Sequence, residues 1–219
     1  MIPIVPALIP ASESELLAQL ERLAFTPELH VDVIDGKFTP KVSWPCDPVG
    51  DPVPLKDQLD TFTLEVDLML ENPLPAAVDW VTAGADMLVF HVETISLENF
   101  KNFAEYTHTT LSIACHGDTP IKTLLEYAQY ADGIQLMGIK EIGAQGQPFD
   151  NSVLETIKTV KEVYPDKPVT VDGSVNAETV QRVVQAGADR VIVGSAITLQ
   201  DEPYVAYEAL CALVRQETV

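Results

Sequence analysis

The chain has 219 residues, 47% of them apolar and 21% charged, which is enough for one large core or two small ones and too apolar for a disordered chain. Its 13 Lys and Arg stand against 33 Asp and Glu, and the formal net charge of -20 argues against nucleic acid and anionic membranes as partners. Three cysteines, Cys46, Cys115 and Cys211, without CxxC spacing, set aside a disulfide framework and a structural zinc site and point to a reducing cytoplasm.

Short apolar runs alternate with amphipathic stretches from end to end. Residues 1–10 are apolar but proline-broken and lack a basic flank, so they read as a first strand over 2–8 and not as a signal peptide. No stretch approaches a membrane span. Ser12-Glu13-Ser14-Glu15 reads as a capping box ahead of a helix carrying Leu16, Leu17, Leu20 and Leu23. The second strand, 30–34, alternates with period two: His30, Asp32 and Ile34 share one face, Val31 and Val33 the other. An imidazole and a carboxylate two residues apart, where a strand breaks at Asp35-Gly36, fit a metal or acid–base site. A solvent-facing edge strand with the valines inward is the alternative.

Between Phe38 and Val53, four prolines (Pro40, Pro45, Pro48, Pro52) predict a structured loop over one end of the fold, with Trp44 exposed for contact or as a lid. Further strands are predicted over 63–69, 87–92, 111–115, 133–138, 169–172 and 190–194. The helices between them have recognisable starts: Thr119-Pro120, Asp150 or Asn151, Asn176, and a last one near Asp201. Ala83-Gly84-Ala85-Asp86 and Ala186-Gly187-Ala188-Asp189 echo one another as turns from helix to buried strand. About eight strand–helix units in one domain are what a (β/α)8 TIM barrel requires; a doubly wound open sheet is the other α/β solution.

In a barrel, chemistry gathers at the C-terminal strand ends, and the unusual polar residues fall there. They are His30, Asp32 and Asp35; Asp67; His91 and Glu93; His116; Lys140 and Glu141; and Asp172. A lone buried Asp can simply cap backbone, but several carboxylates and an imidazole converging on one mouth need a neutralising cation. That donor set suits Zn, Fe(II), Mn or Co. Glycines add a second element, because Gly143 to Gly146, Gly173-Ser174 and Gly194-Ser195 can present backbone N–H groups to an oxyanion. A strongly acidic chain could hold a phosphate in this way without a side-chain cation.

Several of these segments together match a known family. Pro6-Ala7-Leu8-Ile9, the run from His30 to Pro40, Val66-Asp67-Leu68-Met69, Phe90-His91-Val92-Glu93, the stretch from Gly143 to Phe149, Val171-Asp172-Gly173-Ser174-Val175 and Val193-Gly194-Ser195-Ala196-Ile197 resemble ribulose-phosphate 3-epimerases. The resemblance covers most of the chain. It implies a barrel that inverts C3 of a phosphorylated ketose through an enediolate, with one divalent metal ion. Asp32 and Asp172 would be the acid–base pair and would ligate the metal with His30. Met69 and Met137 would lie over the reacting carbons, Ala7 would meet the substrate, and phosphate would fall on Gly143, Gly146, Gly173, Ser174, Gly194 and Ser195. The resemblance further implies a homo-oligomer, dimeric or larger.

The departures all touch the substrate side. Asp67 stands where the family has a ligating histidine, a change that favours harder ions such as Mn or Mg. Ala7 replaces a serine, Ile34 a methionine and Lys41 an asparagine, and the 141–147 loop carries a one-residue insertion. Two other functions stay open: a sugar-phosphate-binding barrel with lost or weak activity, and an aldolase or decarboxylase on the same barrel. Lys140 is the candidate Schiff-base residue for the aldolase. Met69, where a decarboxylase of this kind would carry lysine, counts against the decarboxylase.

Overall fold

The eight apolar runs pair in chain order, each parallel to the one before, and the last returns to the first to close a barrel. The strands are β1 (Ile4–Leu8), β2 (Glu28–Ile34), β3 (Thr63–Met69), β4 (Met87–His91), β5 (Thr110–Ala114), β6 (Gly133–Met137), β7 (Val169–Asp172) and β8 (Arg190–Val193) in a computed structural model that describes residues 2–143 and 146–215. Closure rests on β1, which pairs with β2 on one side and β8 on the other; an open doubly wound sheet would leave it an unpaired edge. The helices are α1 (Glu13–Arg22), α2 (Lys56–Leu59), α3 (Pro73–Thr82), α4 (Leu97–Tyr106), α5 (Ile121–Ala128), α6 (Ser152–Val163), α7 (Val180–Ala186), α8 (Ser195–Thr198) and α9 (Pro203–Arg215). Among the described residues, no helix is long and apolar enough to cross a membrane.

Side-chain alternation divides each strand between two environments. Outward residues such as Val31, Val33, Val66, Leu68, Phe90, Val171 and Val193 pack with Leu16, Trp80, Phe100, Ile157 and Val183 in the main core. The inward face is apolar only in small groups: Val5, Ala7 and Ile192, and a cluster of Ile34, Met69, Met137, Ile139 and Ile142. Between them the interior carries buried His30, Asp32, Glu65, Asp67, His91 and Gln135. Branched apolar residues dominate most barrel interiors, so a polar band over part of its depth sets this one apart. The register aligns His30 with Glu65, Asp32 with Asp67 and Ile34 with Met69 on β2 and β3, and Met137 with Asp172 on β6 and β7.

Local starts mostly follow sequence expectation. Ser12 caps α1 by accepting from the Glu15 amide, while Glu15 reaches back to the Ala11 amide at 2.9 Å. Two starts differ. Pro120, not Thr119, occupies the N-cap of α5, because the Thr119 hydroxyl donates to Glu93 instead. Asn176 accepts from the Glu178 amide in a turn of its own, and α7 begins later with Thr179 as its N-cap.

The proline-rich loop is structured, but Trp44 is buried, contrary to expectation. Its ring packs edge-on against Trp80 with centroids 6.2 Å apart, and its amide donates to the Pro10 carbonyl at 2.8 Å. The loop is thereby stitched to the barrel: Asp35 and Val42 form an antiparallel bridge, and Ser43 exchanges hydrogen bonds with Ile34 and Asp32.

Gly138, just beyond β6, is held against the turn that follows β7: its amide donates to the Asp172 carbonyl at 2.6 Å, and a methyl group there would collide with the Gly173 carbonyl oxygen. Gly138→Ala is therefore expected to destabilise the fold by about 1–3 kcal/mol through overpacking, measured as a fall in the urea midpoint at unchanged slope.

Candidate active site and metal centre

Three strands supply the centre of the site. His30 and Asp32 project inward from β2, Asp67 sits beside Asp32 on β3, and Asp172 ends β7. One ligand atom from each of the four lies within 4.8 Å of the others. A ring nitrogen and three carboxylate oxygens so placed form a donor set suited to a divalent ion. The Ser43 hydroxyl donates to the Asp32 carbonyl at 2.9 Å and accepts from the Ile34 amide at 3.0 Å, so the loop fixes the backbone that carries these ligands.

Two chains of polar groups, one buried and one partly so, brace this centre. In the first, the Arg190 guanidinium grips both oxygens of Glu65 at 2.8 and 2.9 Å and reaches Glu28 at 3.2 Å. Glu65 lies 2.6 Å from Nδ1 of His30, whose Nε2 lies 3.0 Å from Asp32. In the second, Asp67 meets His91 Nε2 at 2.8 Å with one oxygen and accepts from the Gln135 amide at 2.7 Å with the other. Glu65, Arg190 and Gln135 were not singled out from the sequence. The signal was strand parity: Glu65 lies two residues before Asp67, Gln135 two before Met137, and Arg190 two before Ile192.

The electrostatics follow from this pairing. Burial opposes ionisation of Glu65, but the Arg190 charge and the His30 hydrogen bond override it and hold the carboxyl at about 2. Burial disfavours the His30 imidazolium, yet its bonds to Asp32 and Glu65 raise its pKa well above the ordinary value. His91 is raised in the same way, burial being outweighed by the charge and hydrogen bond of Asp67. Asp172 is pushed up to about 7, first by burial and then by the charge of Asp32, and Asp32 is itself raised by burial against the opposing pull of His30.

Above this centre opens a cavity of about 430 Å³. Asp32, Asp172 and Met69 reach it from the strands, with Ala7 and Ile139 beside them. His30 and Asp67 are fully buried beneath it. Gly143, Gly146, Gly173, Ser174, Gly194 and Ser195 line its other side, together with Gln147, Asn176 and Gln200. Ser174 takes a left-handed φ of 54°, rare for a non-glycine residue, and its hydroxyl donates to the Gln147 carbonyl. Ala144 and Gln145 lie outside the described residues. Met137 does not line the cavity; it packs behind it with Met69 and Ile34. No Lys or Arg lines the cavity among the described residues.

Several polar residues predicted at the mouth do other work. Asp35 accepts from the amides of Lys37, Phe38 and Glu71, joining the loops after β2 and β3. Glu93 binds the His116 amide and the Thr119 hydroxyl. Lys140 and Glu141 are exposed and outside the cavity, so the aldolase reading lacks a nucleophile where substrate would sit.

Since the folded pKa of Glu65 lies below the ordinary 4.5, its contribution to stability is complete above that pH and is lost as pH falls toward 2. Arg190→Met removes the largest opposing influence, so its acid-unfolding midpoint, followed by far-ultraviolet circular dichroism, is expected at higher pH than that of the wild type.

Comparison with known proteins gives these features a context. Residues 3–198 match the pattern of the ribulose-phosphate 3 epimerase family. The chain is 30% identical over 216 residues to a ribulose-phosphate 3-epimerase of Mycobacterium leprae (strain TN), covering 94% of this chain and 92% of the relative. It is 29% identical over 210 residues to that of Bacillus subtilis (strain 168), covering 92% and 94%. Among solved structures, a 3-hexulose-6-phosphate synthase superposes with a TM-score of 0.72 at 17% identity, covering 97% of this chain and 99% of that one. An orotidine 5'-monophosphate decarboxylase from Sulfolobus solfataricus superposes with 0.67 at 12% identity, each chain covered in full. At such identities these structures speak for the fold alone.

Proposed function

This chain belongs to the ribulose-phosphate 3-epimerase family, and from that premise we propose that it inverts C3 of a phosphorylated ketose, ribulose 5-phosphate or a near relative, by proton transfer between Asp32 and Asp172. The observation that carries the reading is the meeting of these two carboxylates, from β2 and β7, within 4.8 Å at the floor of one cavity. Inversion at carbon needs a proton removed from one face and another delivered to the opposite face, so the two groups must start in opposite protonation states. Burial and mutual repulsion favour that state in the metal-free pair: they push Asp172 up to about 7 and raise Asp32 as well, which opposes ionisation of both carboxyls together.

His30, Asp32, Asp67 and Asp172 would hold a divalent ion. Bound there, the metal would supply Lewis-acid stabilisation of negative charge on the substrate oxygens. Asp67 in place of a histidine makes three of the four donors carboxylates, which supports Mn or Mg beside Zn, Fe(II) and Co. The backbone at Gly143, Gly146, Gly173, Ser174, Gly194 and Ser195 would bind the phosphate. This fits a cavity without a lysine or arginine in an acidic chain, since amide N–H groups hold an anion without a charged side chain. Met69 and Ile139 would cover the reacting carbons and keep water from the intermediate.

The test is C3–H exchange of pentulose and hexulose phosphates in D2O, followed by proton NMR. Exchange with one of them is expected, and Asp172→Asn is expected to lower its rate by about 10²–10⁴-fold. Binding of every sugar phosphate without exchange would replace this reading with that of a binding barrel. Asp172→Asn has a second, opposite consequence. The folded pKa of Asp172 lies above its ordinary 3.8, so the metal-free wild type loses stability on its account as pH rises from 3.8 through about 7. The variant should lack that component, and the melting temperature of its metal-free form should gain on the wild type toward pH 8.

A further inference from the structure

We infer that Glu65, clamped by Arg190, is a positioning residue for the metal centre: it holds the Nδ1 proton of His30 and thereby presents Nε2 to the ion. The inference rests on the proposed metal site and extends it to two residues that touch neither the cavity nor any proposed ligand atom other than through His30.

The geometry distinguishes the two ring nitrogens. Nδ1 of His30 lies 2.6 Å from Oε1 of Glu65, while Nε2 lies 3.0 Å from Asp32, itself one of the candidate ligands. A carboxylate on one nitrogen fixes the tautomer and ring plane and strengthens the other nitrogen as a donor. Glu65 is restrained, because Nη1 of Arg190 donates to both its oxygens while Nε of the same guanidinium donates to Glu28. Burial adds to the constraint, His30 being wholly buried and Glu65 2% exposed.

The neighbouring His91 provides an internal contrast. It is equally buried, but its Nδ1 has no hydrogen-bond partner among the described residues and its Nε2 is engaged by Asp67. Among those residues no carboxylate bonds it from behind, and Nε2 is already committed. The two histidines thus have different roles: His30 is braced as a donor, whereas His91 supports Asp67. Arg190 reaches Glu65 from β8 across the width of β1 and β2, below the depth of the cavity. Neither residue can meet substrate there, which separates positioning from catalysis.

The experiment measures Mn2+ and Zn2+ affinity calorimetrically on chelator-stripped protein and, separately, the melting temperature of the metal-free form. The principal variant is Glu65→Leu/Arg190→Met, since replacing a buried ion pair with apolar groups of similar size usually preserves folding. Its Kd is expected to rise by roughly 10–100-fold. Glu65→Gln and Arg190→Lys are expected to weaken binding in the same direction by less. A plug that merely fills the barrel would move the metal-free melting temperature and leave Kd within about two-fold of the wild type in the folded variants, and that result would overturn the inference. Should the double variant fail to fold, the two single variants decide by the same criterion. A wild type that binds neither ion removes the metal site itself, and this inference with it; normal wild-type binding with unaltered variants removes the inference alone.

Discussion

Charge enclosed in a closed barrel has to be compensated, and that requirement organises this molecule from its base to its mouth. Four acidic side chains, Asp32, Glu65, Asp67 and Asp172, project into one barrel interior. Isolated, each would cost several kcal/mol. Glu65 is matched by a guanidinium, Asp67 by an imidazole and an amide, and Asp32 by His30. Asp172 has no comparable side-chain partner among the described residues, and burial and the Asp32 charge push it up to about 7. Compensation is weakest at Asp172, which lines the cavity.

Stability and chemistry are assigned to opposite faces of the same strands. The outward residues build an apolar shell between barrel and helices, which tolerates a polar interior because it carries most of the buried apolar surface. The inward residues are then free to be selected for reactivity. The Ser43 contacts show how the two are coupled. A loop anchored by a buried tryptophan holds the β2 backbone in place at the point where its side chains become functional.

The departures from the family pattern follow the same logic. Asp67 would be a liability as a bare substitute for histidine, since it adds a third carboxylate to the centre. Here it is embedded between His91 and Gln135, which together donate to both of its oxygens. The Asp67 carboxylate is therefore supported by side chains on β4 and β6.

Much of the architecture was legible in the sequence because it depends on local rules. Short apolar runs marked all eight strands to within about two residues at either end, and the alternation of the second strand put His30 and Asp32 on one face as candidate ligands. Glycine and proline placed the turns because they act on the backbone of their own residues. Trp44 defeated this reasoning, since its burial depends on Trp80, far along the chain. Arg190 and Glu65 also escaped it: they stand 125 positions apart, and only barrel closure brings β8 near β3. The sequence by itself determined which side chains share a strand face, because parity is a property of one strand. Which of them meet, and hence which carboxylate is neutralised and which is left reactive, was decided by the tertiary structure, because electrostatic pairing depends on distance in space.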